Sequence, residues 1–220
     1  MELKDLRKNL RGKAISIEGG DGSGKGTLIK NIKKEFEKNE IDTIFTREPG
    51  GTNISEQIRN VILSKENTEM SPVTEMILYA AARAQHFEEL IVPTLKSGKL
   101  LILDRFIDSN YVYQGFVRGL GIDKVMAVNK IAIGDWLPDL TIILDIDPVI
   151  GLNRIKNNGR ETNRLDLQDL EFHNKVREGY YKIAKMFPQR IKMIDASQTP
   201  EKVLDDTIKT IIDFFEKKDE

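Results

Sequence analysis

The chain has 220 residues, of which 40% are hydrophobic and 31% are charged, and its formal net charge is -1. This length suits one α/β domain with a small mobile insert and leaves little room for a second full domain. The near-neutral charge gives no general attraction to nucleic acid or to an anionic membrane. The chain has no cysteine, so disulfides and thiolate metal sites are excluded, and its two histidines, His86 and His173, are too few for a zinc site.

The first residues carry charges but no long apolar run. Scattered acidic and basic side chains interrupt residues 1–12, which argues against a signal peptide or a membrane-spanning segment. Together with the absence of cysteine, this favours a cytoplasmic protein in a reducing compartment. We expect this short N-terminal extension to be a surface helix or a frayed tail.

A glycine-rich turn stands between the first predicted strand, Ala14–Ile17, and a segment with helical spacing of apolar residues. It comprises Gly19, Gly20, Asp21, Gly22, Ser23, Gly24, Lys25, Gly26 and Thr27. Glycines let consecutive N–H groups point at an anion, and the following helix adds its positive dipole end. Lys25 can then contact the β- and γ-phosphates of a nucleotide, although a glycine turn without a ligand is the alternative.

One position departs from the usual phosphate-binding pattern. Gly26 stands where such loops generally have a serine or threonine that holds Mg²⁺, and Thr27 follows one place later. We therefore expect Mg²⁺ to be held mainly through water, or by Thr27 from a shifted position.

A second strand is predicted at residues 42–46 and ends in a Pro-Gly-Gly turn that contains Arg47 and Glu48. Ligands of open parallel sheets lie beyond the carboxyl ends of the strands, so Arg47 is placed to contact an anion. The alternative is a simple turn with a solvated arginine. An amphipathic helix is then predicted over residues 54–64, and it carries Arg59.

A longer helix is predicted from the Ser71-Pro72 start signal to about Leu90. Tyr79 and Arg83 lie four residues apart on it and therefore share a face. An aromatic ring beside a guanidinium could stack on a base and hydrogen-bond its edge. A core tyrosine with a surface arginine is the alternative.

Two further apolar runs each end in an acid. Residues 99–104 predict a buried strand that ends in Asp104, directly before Arg105, and residues 140–145 repeat the pattern. An acid at such a strand end can orient Mg²⁺ or its waters. The polar and aromatic segment 108–115 follows the first of these strands and offers groups that could contact a base or sugar, although a solvated helix start is the alternative.

The remaining elements continue the alternation of strands and helices. Helices are predicted over residues 122–135, from Pro148 through about residue 155, near Leu170 and from Pro200 onward, with a fifth strand at 191–195. The polar stretch at about 156–166 has no apolar periodicity and carries Arg160 and Arg164, which predicts a mobile lid; a solvated loop is the alternative. We predict a single α/β domain over residues 1–220.

Taken as a set, these motifs resemble those of bacterial thymidylate kinases. The resemblance spans about Lys13 to Phe215 and rests on segments 18–27, 46–52, 79–86, 104–106, 113–115, 138–141 and 164–166. It implies Mg-ATP-dependent phosphorylation of dTMP to dTDP, a step in dTTP synthesis. It also implies a three-layer P-loop NTPase fold, with a five-stranded parallel sheet in the order 2-3-1-4-5, helices on both faces, and a homodimer.

The resemblance assigns a role to each matching residue. ATP would be held by Gly19 to Thr27 and by Arg154, and dTMP by Asp21, Arg47, Glu48, Arg59, Tyr79, Arg83, Arg105, Asn110, Tyr113 and Gln114. Tyr79 matches the ring that stacks on thymine, Arg83 the arginine that hydrogen-bonds its O4, and Tyr113 the group that crowds a ribose 2′-hydroxyl. Asn110 and Gln114 match positions that face the base. Asp104 and Thr27 would contact Mg²⁺, mostly through water.

The resemblance also divides the arginines. Gly22 in the glycine loop matches the thymidylate kinases that supply a catalytic arginine from the lid. The expected catalytic residues are therefore Lys25, Asp21, Arg105 and Arg160, with Arg154 and Arg164 holding the lid or the adenine.

Two rival functions remain open at this stage. A nucleoside monophosphate kinase for a different base would share the loop and the lid, and the pairing of Tyr79 with Arg83 separates it from the first hypothesis. A P-loop switch protein would bind nucleotide and turn over slowly. Against a switch, Asn129-Lys130-Ile131-Ala132 lacks the acid of the guanine-binding motif.

Overall fold

The computed structural model describes residues 2–157 and 168–216. Five parallel strands form one sheet in the order β2-β3-β1-β4-β5. They are β1 (Ala14–Gly19), β2 (Thr43–Arg47), β3 (Leu100–Asp104), β4 (Leu140–Asp145) and β5 (Ile191–Asp195). The predicted sheet order is confirmed.

Helices cover both faces of the sheet. They are α1 (Lys25–Lys38), α2 (Asn53–Leu63), α3 (Pro72–His86), α4 (Val92–Lys96), α5 (Ile107–Asn110), α6 (Ile122–Ile133), α7 (Pro148–Asn157), α8 (Leu170–Met186) and α9 (Pro200–Glu216). One apolar core lies under α1 and α9, and the second lies under α3, α6 and α8. This arrangement confirms the three-layer α/β architecture.

The start of α3 follows the predicted capping pattern. The hydroxyl of Ser71 accepts a hydrogen bond from the N–H of Thr74 at 3.2 Å, and Pro72 occupies the first helical position. The predicted end near Leu90 is wrong. Wider π-helical turns at Phe87–Ile91 carry the chain into α4, and Pro93 follows shortly after these turns.

The N-terminal segment is docked on the core. Leu3–Arg7 forms a 3-10 helix, and Leu3, Leu6 and Leu10 are buried in the same core as α1 and α9. The expectation of a frayed tail is therefore wrong, whereas the surface helix is present with its leucine side buried. The leucines lie three and four residues apart and form an apolar face among the charges.

The register of the sheet aligns the ends of three neighbouring strands. Ile17 of β1 lies opposite Asp104 of β3, and Asp104 lies opposite Arg47 of β2. The loops that follow these strands therefore open at the same edge, which is where ligands of open parallel sheets bind.

The glycine-rich loop after β1 packs against the backbone of α7. Gly22 has a φ of +74°, and a Cβ atom at this position would lie only 2.0 Å from the carbonyl oxygen of Gly151. Conversely, a Cβ on Gly151 would lie 2.5 Å from the carbonyl oxygen of Asp21. Two glycines thus allow the loop and α7 to approach closely, and no side chain fits at either position without movement.

Truncation of Leu6 tests whether the N-terminal segment contributes to stability. The side chain is fully buried, so Leu6→Ala is expected to lower the free energy of unfolding by about 2–5 kcal/mol. The neighbouring exposed Lys8 provides the control, since Lys8→Ala is expected to change it by less than about 0.5 kcal/mol. Urea denaturation followed by circular dichroism measures both values, and equal stability of the two variants would contradict the docked segment.

A pair of alanine variants tests the contact between the loop and α7. Gly22→Ala is expected to lower the free energy of unfolding by at least about 2 kcal/mol, because it adds both a clash and an unfavourable positive φ. The matched control is Gly26→Ala, where the added Cβ meets nothing within 4 Å and the position is helical. That control is expected to keep or raise stability by up to about 1 kcal/mol. A Gly22→Ala protein as stable as the control would show that the loop can move away from α7 at little cost.

Candidate active site

A cavity of about 710 Å³ opens at the edge of the sheet where the strand ends align. Most of the residues predicted from the sequence line it: Asp21, Gly22, Ser23, Gly24, Lys25, Gly26, Thr27, Arg47, Glu48, Arg59, Tyr79, Arg83, Asp104, Arg105, Asn110, Tyr113, Gln114 and Arg154. Gly19 and Gly20 belong to the same loop but do not line the cavity. The predicted lid residues Arg160 and Arg164 lie outside the described residues.

The lysine of the loop folds back over the backbone that precedes it. Its Nζ donates to the carbonyl oxygens of Gly19 at 2.9 Å and Gly20 at 3.1 Å. Removal from bulk water and the nearby charge of Arg105 lower the pKa of Lys25 to about 8, while Asp104 and Asp21 oppose this shift. An anion that enters the loop would therefore meet a cation that two backbone carbonyls already hold beside the loop.

A buried carboxylate that the sequence analysis did not single out organises the loop after β3. Glu18 accepts hydrogen bonds from the backbone N–H of Phe106 at 2.7 Å, from the hydroxyl of Ser109, and from the hydroxyl of Tyr180 at 3.0 Å. Burial and the neighbouring charge of Asp108 raise the pKa of Glu18. The sequence signal was an acid inside an apolar strand, which needs partners if it is to be buried.

Arg105 is held across the middle of the cavity. Its guanidinium donates to Asp21 Oδ1 at 3.0 Å and to the hydroxyls of Ser109 and Tyr180, both at 3.1 Å. Its backbone has a φ of +66°, a conformation that costs energy for a residue with a side chain and persists where its surroundings enforce it. The guanidinium also lies 5.2 Å from the ring centroid of Tyr113. These contacts fix a positive charge next to the glycine-rich loop.

The ring of Tyr113 packs against the guanidinium of Arg105 and is buried. Desolvation raises the pKa of its hydroxyl, and that oxygen has no hydrogen-bond partner among the described residues. The ring therefore acts as a wall of the cavity in this structure.

Two further arginines meet at the turn after β2. Arg47 pairs with Glu56 at 2.9 Å and donates to the carbonyl oxygen of Pro49 at 3.1 Å, and Arg59 donates to the same carbonyl at 2.6 Å. Both arginines line the cavity, and the side chain of Arg47 is 44% exposed there. The pairing with Glu56 was not anticipated.

The alternative of a core tyrosine beside a surface arginine is wrong, because Arg83 is the buried residue and Tyr79 the more exposed one. Arg83 is only 2% exposed, whereas Tyr79 is partly exposed and lines the cavity. Arg83 can be buried because Glu48 accepts from both Nε and Nη2 at 2.8 Å. Its Nη1 donates to the amide oxygens of Asn110 and Asn129. Asn129 was missed as a site residue because only the packing of α6 on α3 brings it here.

The far end of the cavity is formed by the segment after β5. Arg154 donates to the carbonyl oxygen of Ala196 at 3.1 Å, and Gln198 and Pro200 line the cavity beside it. This segment follows a strand end, so the rule used for Arg47 could have found it.

Acidic groups suited to a metal are sparse. Among the residues that the structure describes, no three His, Cys, Asp or Glu side chains group closely enough to hold a metal ion by themselves. Asp104 and Thr27 both line the cavity, and the charge of Asp104 acts on Lys25. One carboxylate and one hydroxyl fit a cation that keeps most of its waters and binds phosphate oxygens, as Mg²⁺ does.

The described helices also bear on membrane association. None of those within residues 2–157 and 168–216 combines the length and apolar composition required to cross a bilayer.

Comparison with known proteins identifies the relatives of this chain. The family model described as thymidylate kinase matches residues 17–207. A thymidylate kinase from Clostridium novyi (strain NT) is 55% identical over 197 residues, which are 89% of this chain and 96% of that protein. One from Geobacillus sp. (strain WCH70) is 50% identical over 208 residues, or 94% of this chain and 99% of that protein.

A solved structure agrees with the sequence relatives. The crystal structure of thymidylate kinase from Ehrlichia chaffeensis superposes with a TM-score of 0.74 at 30% identity, covering 91% of this chain and 98% of that one. Three findings agree: the strand order of the P-loop fold, the family model that matches most of the chain, and the relatives that are about 50% identical. The chain belongs to the thymidylate kinase family of nucleotide kinases, which use ATP as the phosphoryl donor.

Proposed function

We propose that this protein transfers the γ-phosphoryl group of ATP to dTMP and so produces dTDP and ADP, a step in dTTP synthesis. The observation that carries the proposal is the cavity itself: a glycine-rich loop with Lys25 lies at one side, and a buried guanidinium with two amides, Arg83, Asn110 and Gln114, lies at the other. Arg105 stands between them, paired with Asp21. One cavity can thus accommodate two nucleotides with their phosphates facing each other.

The donor nucleotide belongs at the glycine-rich loop. The backbone amides of residues 19–27 and the Lys25 ammonium would hold the ATP phosphates. Arg154 and the segment after β5 would line the adenosine end, since they lie together at the edge of the cavity.

The acceptor belongs on the other side of Arg105. Arg59 and Arg105 would bind the 5′-phosphate of dTMP, with Arg47, Glu48 and Asp21 close by. Tyr79 would stack on the thymine, and Arg83, Asn110 and Gln114 would contact its edge. Tyr113 would favour deoxyribose, because its buried ring leaves little room for a 2′-hydroxyl.

The proposed transfer does not require a covalent bond between the protein and the phosphoryl group. An oxygen of the dTMP phosphate attacks the γ-phosphorus of ATP, and the bond to the β–γ bridging oxygen breaks as ADP departs. The protein aligns the two phosphates and stabilises the charge on the transferred group. Lys25 and Arg105 fit that role by position. The acceptor oxygen is already ionised at neutral pH, so Asp21 orients Arg105 and the acceptor and is not needed as a general base.

Mg²⁺ is part of the proposal as the cation that accompanies ATP. Asp104 and Thr27 would hold it mostly through water. The ion would supply neutralisation of the phosphate charge.

The lid completes the proposed site. We assign Arg160 to the transition-state charge, and Arg164 to the lid or the adenine, from the resemblance stated above. Gly22 supports this assignment, because its close contact with Gly151 leaves no space for an arginine side chain at this position of the glycine-rich loop. A catalytic arginine would then have to come from the lid.

A homodimer in the cytoplasm is the proposed assembly and location. Support for the dimer comes from exposed apolar side chains on helices that pack side by side, α2, α3 and α6. They include Ile54, Val61, Val73 and Ile77, and Ile131 is 88% exposed. Water contact of such a patch is unfavourable, so a second copy would stabilise it.

A panel of acceptors tests the proposed substrate. With Mg-ATP, ADP release is measured for dTMP, dUMP, dCMP, UMP, CMP, AMP and GMP. We expect dTMP to give the highest kcat/KM, because the cavity combines a stacking ring, a base-edge arginine and a wall against the 2′-hydroxyl.

The other outcomes of the panel separate the rivals. Preference for a different monophosphate would support a nucleoside monophosphate kinase but contradict the proposed thymine-binding residues. ATP binding without acceptor-dependent turnover would instead favour a nucleotide-binding switch.

Two lid variants test the catalytic arginine. Arg160→Ala is expected to lower kcat by about 10³-fold or more, as removal of an arginine that stabilises phosphoryl transfer does. Arg164→Ala serves as the matched comparison and is expected to act mainly on the KM for ATP. Single-turnover measurements with dTMP determine the chemical step. If Arg160→Ala kept nearly the full kcat and Arg164→Ala lost most of it, Arg164 and not Arg160 would be the catalytic arginine.

A further inference from the structure

A directed chain of hydrogen bonds runs behind the acceptor end of the cavity. Arg83 Nη1 donates to Asn110 Oδ1 at 3.1 Å, Asn110 Nδ2 donates to Gln114 Oε1 at 2.7 Å, and Gln114 Nε2 donates to Glu75 Oε1 at 2.7 Å. Asn129 Nδ2 adds a second donor to Asn110 Oδ1 at 2.7 Å. All four links join side chains that are each no more than 2% exposed. We call the series from Arg83 to Glu75 the amide chain.

The two ends of the amide chain fix its direction. A guanidinium can only donate hydrogen bonds, and an ionised carboxylate can only accept them. Glu75 is 1% exposed and lies 3.5 Å from the guanidinium of Arg118. Each amide between the ends must therefore turn its oxygen toward Arg83 and its nitrogen toward Glu75.

This direction decides which atom of Gln114 serves the cavity. Gln114 and Asn110 line the cavity, whereas Glu75 does not. The nitrogen of Gln114 donates one of its two hydrogens to Glu75, which does not line the cavity. Its oxygen uses one lone pair for Asn110 and keeps the second for a ligand. The cavity thus meets an acceptor at this position.

The inference rests on the proposed function, in which a pyrimidine edge faces these groups. Thymine and uracil carry an N–H at position 3 and a carbonyl at position 4. Cytosine has an unprotonated nitrogen at position 3 and an amino group at position 4. An amide oxygen accepts a hydrogen bond from the N–H of thymine or uracil, and it repels the unprotonated ring nitrogen of cytosine.

We propose that Glu75 is a positioning residue that fixes the direction of the Gln114 amide and thereby favours 4-oxo over 4-amino pyrimidine nucleotides. Glu75 acts through Gln114 and does not touch the substrate. If Gln114 turned over, it would lose its bonds to both neighbours and set its oxygen against a carboxylate. With glutamine at position 75, the new amide can turn as well, so only the bond to Asn110 resists the change.

The test is a ratio of specificities. We measure kcat/KM for dTMP, dUMP and dCMP in the wild type and in the isosteric variant Glu75→Gln, with thermal unfolding as a check on folding. The dTMP-to-dCMP ratio is expected to fall about tenfold, the value of one hydrogen bond to a charged group. The dTMP-to-dUMP ratio is expected to remain unchanged, because the two bases share the same edge.

A neighbouring arginine provides the matched control. Arg118→Gln removes a guanidinium that contacts Glu75 but keeps the carboxylate, so both ratios are expected to remain as in the wild type. Should Glu75→Gln fail to fold, the double variant Glu75→Gln/Arg118→Gln removes both charges together and carries the same expectation.

The outcomes distinguish this inference from the proposed function. A folded Glu75→Gln or double variant with the wild-type dTMP-to-dCMP ratio would overturn the inference, and so would an equal change in the dTMP-to-dUMP ratio. Failure of the wild-type protein to phosphorylate dTMP would instead overturn the proposed function on which the inference depends.

Discussion

The site depends on a carboxylate buried inside the sheet. Glu18 lies on the central strand and accepts hydrogen bonds from the loop after β3 and from α8, so one side chain joins three elements. A buried carboxylate without such partners would be strongly unfavourable, which makes the arrangement mutually dependent. Through Ser109 and Tyr180, the same group of contacts fixes Arg105 in its positive-φ conformation. The cation at the centre of the cavity is thus placed by an anion beneath it.

The proposed acceptor end of the cavity follows the same physical rule with opposite charges. Burial of the Arg83 guanidinium is possible because Glu48 pairs with it, and Glu48 is in turn held by His86 at 3.0 Å. Asn110 and Asn129 satisfy the remaining side of the guanidinium. Truncation of one partner in such a network leaves another charge unpaired, so its members are expected to be strongly coupled. Rigid polar groups of this kind suit recognition of a base edge, since they need no reorganisation when the ligand binds.

The proposed donor end of the cavity is shaped by a contact between backbone atoms. The approach of Gly22 to Gly151 brings the glycine-rich loop against α7. Arg154 on the same helix reaches the segment after β5. Movement of α7 would therefore be transmitted to the glycine-rich loop through backbone atoms, which have little freedom to adjust.

The amino-acid sequence alone determined the alternation of strands and helices, the glycine-rich loop and the strand ends at which Arg47, Asp104 and Arg105 occur. These features depend on local spacing: apolar periods, glycine positions and capping residues act within a few positions of one another. The resemblance to one family then supplied the sheet order, which is confirmed. The family itself is confirmed by the comparisons.

Only the tertiary structure decided which charged groups are buried and with what partners. Arg83 and Glu48 lie 35 positions apart, and Gln114 and Glu75 lie 39 apart. No local pattern links such pairs, because a hydrogen bond between distant residues depends on how the helices pack on the sheet. The docking of Leu6 and the missed residues Glu18 and Asn129 have the same explanation. Local spacing specifies the elements, whereas the satisfaction of buried polar groups is a property of the packed whole.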